Sequence, residues 1–117
     1  MKNTIKSKAE IERIFHAGHR YSSRSIVIIA LQSEERGHCG RVAFIAGKKL
    51  GNAPKRNYAK RVLRQIENEI SNDSLKGRGI DLVFMAKKGI FEEDYKAVKK
   101  ECSRLLERLL RDISSKE

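Results

Sequence analysis

Cysteine, proline and long apolar runs are all scarce in this sequence, and each shortage removes a class of protein. Two cysteines, Cys39 and Cys102, are too few and too far apart for a disulfide framework, and neither belongs to a CxxC metal knuckle. Both read as reduced thiols. No stretch approaches the ~18 consecutive apolar residues of a membrane-spanning helix, and the polar, lysine-bearing start has no signal-peptide apolar region. A soluble, cytoplasmic protein is the expectation. Repeats, low-complexity tracts and linkers are also missing, so residues 1–117 read as one compact domain.

Acidic residues are plentiful in most of the chain and absent from one part of it. The formal net charge is +11. Residues 1–47 hold 8 basic and 4 acidic side chains, and residues 65–117 hold 11 of each. The intervening residues 48–64 hold 7 basic side chains and no carboxylate. Most of the excess is therefore local, which points to a surface for a polyanion rather than to general tuning of solubility. Nucleic acid is the first partner class to consider.

The elements follow from hydrophobic spacing. Ser7-Lys8-Ala9-Glu10 has the form of a capping box. Ile11, Ile14 and Phe15 then mark one apolar face of a helix over residues 8–17, with Gly18 placed to end it in the left-handed conformation. The continuous run from Ile26 to Leu31 predicts a strand covered on both faces. With the strand pattern of Arg41 to Ala46, across the polar loop at 34–40, it reads as a hairpin. Ile80 to Ala86 is a further strand. From Phe91 onward, apolar residues recur at spacings of three and four through Ile113, predicting a long amphipathic helix. The fold class is α+β, with one central mixed sheet of three to four strands packed with helices in the order α-β-β-(β)-α-β-α.

The single proline locates the remaining helix. Proline suits the first turn, where its missing N–H has no intrahelical partner, and it biases Ala53 away from helical geometry, so the helix should start at Pro54. At about 100° per residue, Tyr58, Ala59, Val62, Leu63, Ile66 and Ile70 gather on one side. Arg56, Asn57, Lys60, Arg61 and Arg64 gather on another. Four cations around one asparagine repel one another, and a multivalent anion relieves that repulsion. RNA fits, because each phosphate paired with a cation releases condensed counterions, arginine makes two-pronged phosphate contacts, and Asn57 can both donate and accept. The helix start adds positive partial charge beside Lys55 and Arg56. The plainer explanation is a solvated charged face. Such faces generally mix signs, as residues 65–117 do, so nucleic acid is favoured.

The stretch Lys48-Lys49-Leu50-Gly51-Asn52-Ala53-Pro54-Lys55-Arg56-Asn57-Tyr58-Ala59-Lys60-Arg61-Val62-Leu63-Arg64 resembles the signature of the bacterial ribonuclease P protein family. In that family a Lys-Lys-x-Gly-x-Ala turn leads into Arg-Asn-Arg and then Lys-Arg-x-x-Arg. The similarity extends to the early helix with Phe15, to Gly18, and to Gly79-Ile80-Asp81-Leu82-Val83. Tyr58 departs from it, standing where the second arginine is usual, and Ala53-Pro54 is unusual there. Tyrosine can stack on a base or pack, and its helical phase with Val62 predicts packing.

The resemblance implies a left-handed βαβ crossover around the basic helix. It also implies the protein subunit of an endoribonuclease whose catalytic centre lies in an RNA, with Mg2+ held mainly by that RNA. The partners would be the catalytic RNA and the 5′ leader of precursor tRNA, with no membrane and no obligate protein partner. Lys48, Lys49, Lys55, Arg56, Asn57, Lys60, Arg61 and Arg64 would meet the RNA. A cleft between the basic helix and the sheet would take the leader, with Phe15 and Tyr21 as stacking surfaces, although Phe15 also suits the core face of the first helix, the role that sequence alone favours. The alternative is a ribosomal or other structural RNA-binding protein. A helix-based DNA-binding regulator fits poorly with a central sheet.

Other chemistry finds little support. His16 and His19, and His38 with Cys39, match no standard zinc spacing, and Cys39 has no base and orienting partner in view. Glu92, Glu93 and Asp94 suit a helix start, where carboxylates complement the dipole, and with Asp81 they form no constellation that demands a protein-based nuclease. No catalytic residue is therefore assigned to the protein.

Overall fold

The computed structural model describes residues 5, 7–32, 40–70 and 79–115. Its elements are α1 (Lys8–Ala17), β1 (His19–Ser22), β2 (Ile26–Gln32), β3 (Val42–Ile45), α2 (Ala53–Ile70), β4 (Ile80–Ala86) and α3 (Tyr95–Ser115). Short 3-10 turns at Lys48–Leu50 and Lys88–Phe91 precede α2 and α3. The architecture is α+β, with one four-stranded mixed sheet in the order β1-β2-β4-β3.

Strand pairing corrects the expected hairpin. β2 does not pair with β3; it runs antiparallel to β1 on one side and to β4 on the other. β3 is an edge strand, parallel to β4, and the chain reaches β4 from it through α2. β1 is the strand the hydrophobic pattern misses, because His-Arg-Tyr-Ser contains one buried residue among three exposed ones. The central strands β2 and β4 are apolar on both faces, as a covered strand requires.

Side chains alternate between the two faces and divide the core. Ile26, Ile28, Ala30, Leu82, Phe84 and Ala86 face a large cluster completed by Ala59, Leu63 and Ile66 of α2 and by Val98, Cys102, Leu105, Leu106 and Leu109 of α3. Val27, Ile29, Ala43 and Val83 face the other way, toward Ile14 of α1. α2 and α3 thus share one face of the sheet, and α1 lies on the opposite face.

Local chemistry sets the ends of the helices. Ser7 Oγ accepts from the Glu10 N–H at 3.4 Å, giving one half of the expected capping box. The Glu10 carboxylate instead accepts from Arg41 at 3.0 Å, and Arg41 also bonds Asp81 through its guanidinium at 3.2 Å and its backbone N–H at 2.9 Å. The beginnings of α1, β3 and β4 are tied together there. Gly18 is not left-handed: φ is −80° and ψ 166°. Glycine is needed for close approach, since a Cβ would lie 2.5 Å from the Ile14 carbonyl oxygen and 2.8 Å from that of Ala30. Of the three carboxylates before α3, Asp94 caps the helix, accepting from the Ala97 N–H at 2.9 Å. Glu92 pairs with Arg24 at 2.9 Å, and Glu93 accepts from the Ser25 hydroxyl at 2.8 Å.

Candidate nucleic-acid interface

The basic segment begins as β3 ends. Gly47 leads into the turn Lys48–Leu50, which Leu50 anchors by burial while Lys48 and Lys49 stay exposed. Gly51 has φ 131°, a conformation open to glycine and costly for residues with a Cβ, so the reversal into α2 depends on it. Asn52 caps the helix, its side-chain oxygen accepting from the Lys55 N–H at 3.2 Å and its carbonyl from the Arg56 N–H at 3.0 Å. Ala53 is therefore the first helical residue and Pro54 the second, one position later in the helix than the proline rule suggests. Pro54 still falls within the first turn, where no intrahelical acceptor awaits its nitrogen.

The phase of α2 against the core decides what each side chain meets. Ala59, Leu63, Ile66 and Glu67 are buried. Arg56, Lys60 and Arg64, spaced four apart, run along the flank of the helix next to edge strand β3. Arg56 Nε donates to the Ala46 carbonyl at 3.1 Å, and the Arg64 guanidinium stands 6.0 Å from the centre of the Phe44 ring. Phe44 in turn stacks on Phe84 at 5.6 Å. Asn57 and Arg61 are exposed. The structure thus brings Arg56, Asn57, Lys60, Arg61 and Arg64 onto one continuous surface, with Lys48, Lys49 and Lys55 at its N-terminal end. Arg56 is partly committed to holding α2 against β3.

None of these cations is paired with a carboxylate among the described residues. Three cations elsewhere are paired: Arg24 with Glu92, Arg41 with Glu10 and Asp81, and Lys99 with Glu69 at 3.0 Å. The first turn of α2 also contains no acidic residue. Positive side chains and the positive end of the helix dipole therefore add together, an arrangement that disfavours the free helix and favours a bound anion.

The two aromatic residues expected to stack on the leader lie on opposite faces of the sheet. Phe15 is half-buried on the α1 side, in the layer that also holds Ile45 and Met85. Ile45 and Met85 are paired neighbours and help form the floor of a groove of about 710 Å³, lined also by Leu50 and Ala86 and by Lys48, Lys49, Lys87 and Lys88. Lys87 is held in place, donating to the Ser23 carbonyl at 2.7 Å. Tyr21, by contrast, is buried beneath α3 and donates to Asp112 Oδ2 at 2.7 Å. Burial and the Asp112 hydrogen bond push its hydroxyl up to about 12. Its assignment as a stacking surface is corrected: alternation along β1 points it into the core shared with α2 and α3.

For Tyr58 the expectation of packing holds. It packs, but at the surface: it is 44 % exposed and stacks on Phe91, with ring centres 6.1 Å apart. Phe91 itself belongs to the 3-10 turn before α3 and not to the apolar face of that helix. The groove lysines Lys87 and Lys88 went unseen in sequence, because they lie far along the chain from the basic segment and flank no motif.

His38 and Cys39 lie outside the described residues. Cys102 is a free, buried thiol, pushed up to about 12 by burial and by the negative charges of Glu101 and Glu67. Among the described residues, no group of three or more histidine, cysteine or carboxylate side chains is placed to hold a metal ion. No helix in these residues is long and apolar enough to cross a membrane.

Known proteins share both the sequence and the fold. The Ribonuclease P family model matches residues 1–110. The ribonuclease P protein component of Natranaerobius thermophilus is 33% identical over 102 residues, covering 87% of this chain and 85% of its own length. That of Nitratiruptor sp. is 32% identical over 108 residues, covering 92% and 93%. The Staphylococcus aureus RNase P protein superposes with a TM-score of 0.75 at 23% identity, covering 93% of this chain and 96% of that one. The RNase P protein from Thermotoga maritima gives 0.73 at 22%, covering 92% and 97%. With the motif, the fold and the full-length match in agreement, this chain belongs to the ribonuclease P protein family, the protein components of an RNA-processing enzyme.

Proposed function

We propose that α2 and the turn before it bind the catalytic RNA of a ribonuclease P ribonucleoprotein, and that the lysine-rimmed groove at the ends of β3 and β4 receives the 5′ leader of precursor tRNA. The observation that carries this reading is the run of cations on α2 that pair with no carboxylate among the described residues, which a phosphate backbone neutralises with release of counterions. The groove suits single-stranded RNA. Its floor of Ile45, Met85 and Leu50 offers apolar contact to bases, and its four lysines can follow the backbone. Phe15 lies farther along the same face as an aromatic surface.

The donor set also bears on where Mg2+ belongs. Ammonium, guanidinium and amide groups bind phosphate, whereas Mg2+ requires oxygen ligands in near-octahedral array. The cationic face does not fit a resident metal. Catalytic Mg2+ is accordingly assigned to RNA phosphates, and the chemical step to the RNA. This chain contributes binding and positioning, and by neutralising phosphate it lowers the Mg2+ concentration that assembly needs. The family match speaks for this role over a structural RNA-binding protein with no processing function.

Reconstitution with the ribonuclease P RNA of the same organism tests the proposal. The chain is expected to bind that RNA and to stimulate precursor-tRNA cleavage at low magnesium. Absence of both binding and stimulation would overturn it.

A further inference from the structure

Tyr58 and Phe91 are the two exposed large hydrophobic side chains among the described residues, 44 % and 37 % exposed, and they form a single stack. Scattered exposed apolar residues need no explanation; two aromatic rings held together at the surface do. Resting on the RNA-binding role proposed above, we infer that this stack is a platform on which an unpaired base of the bound RNA lies, adding a third ring to the pair.

The platform is held in place from both sides. Tyr58 rises from the second turn of α2, whose buried face is fixed by Ala59 and Leu63. Phe91 ends a turn closed by the Ile90 N–H donating to Lys87 O at 3.0 Å and the Glu92 N–H to Gly89 O at 3.1 Å. Ile90 is buried beneath that turn, and Gly89 sits so close to Arg24 that a Cβ would lie 2.4 Å from the Arg24 carbonyl oxygen. Neither ring has to be ordered when a base arrives, so that entropic cost is already met.

The surroundings select the occupant. Lys55 and Arg61 stand three residues before and after Tyr58 on the helix and so share its face, and Lys88 is exposed in the turn that carries Phe91. An aromatic face bordered by cations matches a nucleotide, whose base stacks while its phosphates pair. The same position in the family motif usually carries an arginine. In this chain a charge contact is exchanged for a stacking contact, and the flanking cations keep the phosphate attraction.

The test uses the full chain and the ribonuclease P RNA of the same organism, with binding measured across a series of salt concentrations. Tyr58→Leu and Phe91→Leu are each expected to weaken binding about tenfold, in the range of one lost base stack. The salt slope should not change, because no phosphate charge is left unpaired. Tyr58→Phe retains the ring and is expected to retain the affinity. The chain has no tryptophan, so Tyr58→Trp introduces a lone reporter whose fluorescence should be quenched when a base stacks on it. If the wild-type chain does not bind the RNA, the proposed RNA role and the platform both fail. If the wild type binds and Tyr58→Leu binds equally well, or the tryptophan emission is unmoved by RNA, the platform alone is overturned.

Discussion

Helices α2 and α3 lie side by side on the same face of the sheet, and both are amphipathic, yet their polar surfaces are built on different principles. On α3, carboxylates are interspersed with the cations and several polar groups find partners in the protein: Lys99 pairs with Glu69, Tyr95 donates to Glu69, and Asp112 accepts from Tyr21. In the N-terminal half of α2 the cations are unpaired with any described carboxylate. Apolar faces of similar kind attach both helices to the core, so amphipathicity does not separate them. The sign of the charge does, because α3 mixes carboxylates with its cations, whereas the N-terminal half of α2 presents cations alone and is suited to an external polyanion.

The sharpest way to break this comparison is to damage both helices where they are alike. Leu109→Ala on α3 and Leu63→Ala on α2 each remove a fully buried side chain from the shared core. Each is expected to cost about 2–5 kcal/mol of stability, measured by urea denaturation. A large difference between the two would mean that the helices do not share one cooperative core.

A second effect belongs chiefly to α3 and appears in alkali. Tyr21, Tyr95 and Cys102 are all pushed up to about 12, from ordinary values near 10 for the tyrosines and 9 for the thiol. Burial is the main cause in each, followed by hydrogen bonds to Asp112 and Glu69 for the tyrosines and by nearby carboxylates for Cys102. The folded state retains protons that the unfolded chain gives up. The stability these groups contribute is therefore complete below about pH 9 and falls as pH rises toward 12. Urea midpoints followed from pH 8 to 11 should fall, and Tyr21→Phe should make the fall shallower above pH 10.

The smallest effects on folding distinguish the helices most cleanly. Arg61→Ala on α2 is expected to change stability by no more than about 0.5 kcal/mol. It should reduce the slope of log affinity against log salt by up to about one unit. Lys99→Ala on α3 breaks the pair with Glu69 and should lower stability slightly with the salt slope unchanged. Equal slopes for the two variants would erase the distinction drawn here.

Much of this was legible in sequence, for reasons that can be stated residue by residue. Ile26 to Leu31 and Ile80 to Ala86 read as strands because continuous apolar runs of that length can only be covered on both sides. The basic surface read as a surface because four cations and one asparagine fall within one arc of a helix whatever that helix packs on. β1 stayed hidden because three of its four residues face solvent. Tyr58 and Val62 fall in the same broad arc as Ala59 and Leu63, and the helical wheel does not say which part of that arc turns fully inward. The structure turns it toward Glu67, leaving Tyr58 at the outer edge, where Phe91 meets it.

Sequence by itself therefore determined the elements other than β1 and the one-signed face of α2, since these depend on composition and on short-range spacing, and its motif carried the resemblance to the family. Tertiary structure alone decided that β2 pairs with β4 and not β3, that Phe15 and Tyr21 lie on opposite sides of the sheet, and that Lys87 and Lys88 join Lys48 and Lys49 around one groove. The physical reason is the same in each case. Backbone geometry repeats over a few residues and can be read from a short window, whereas which face is covered, and by what, is settled only when segments distant in the chain exclude water from one another.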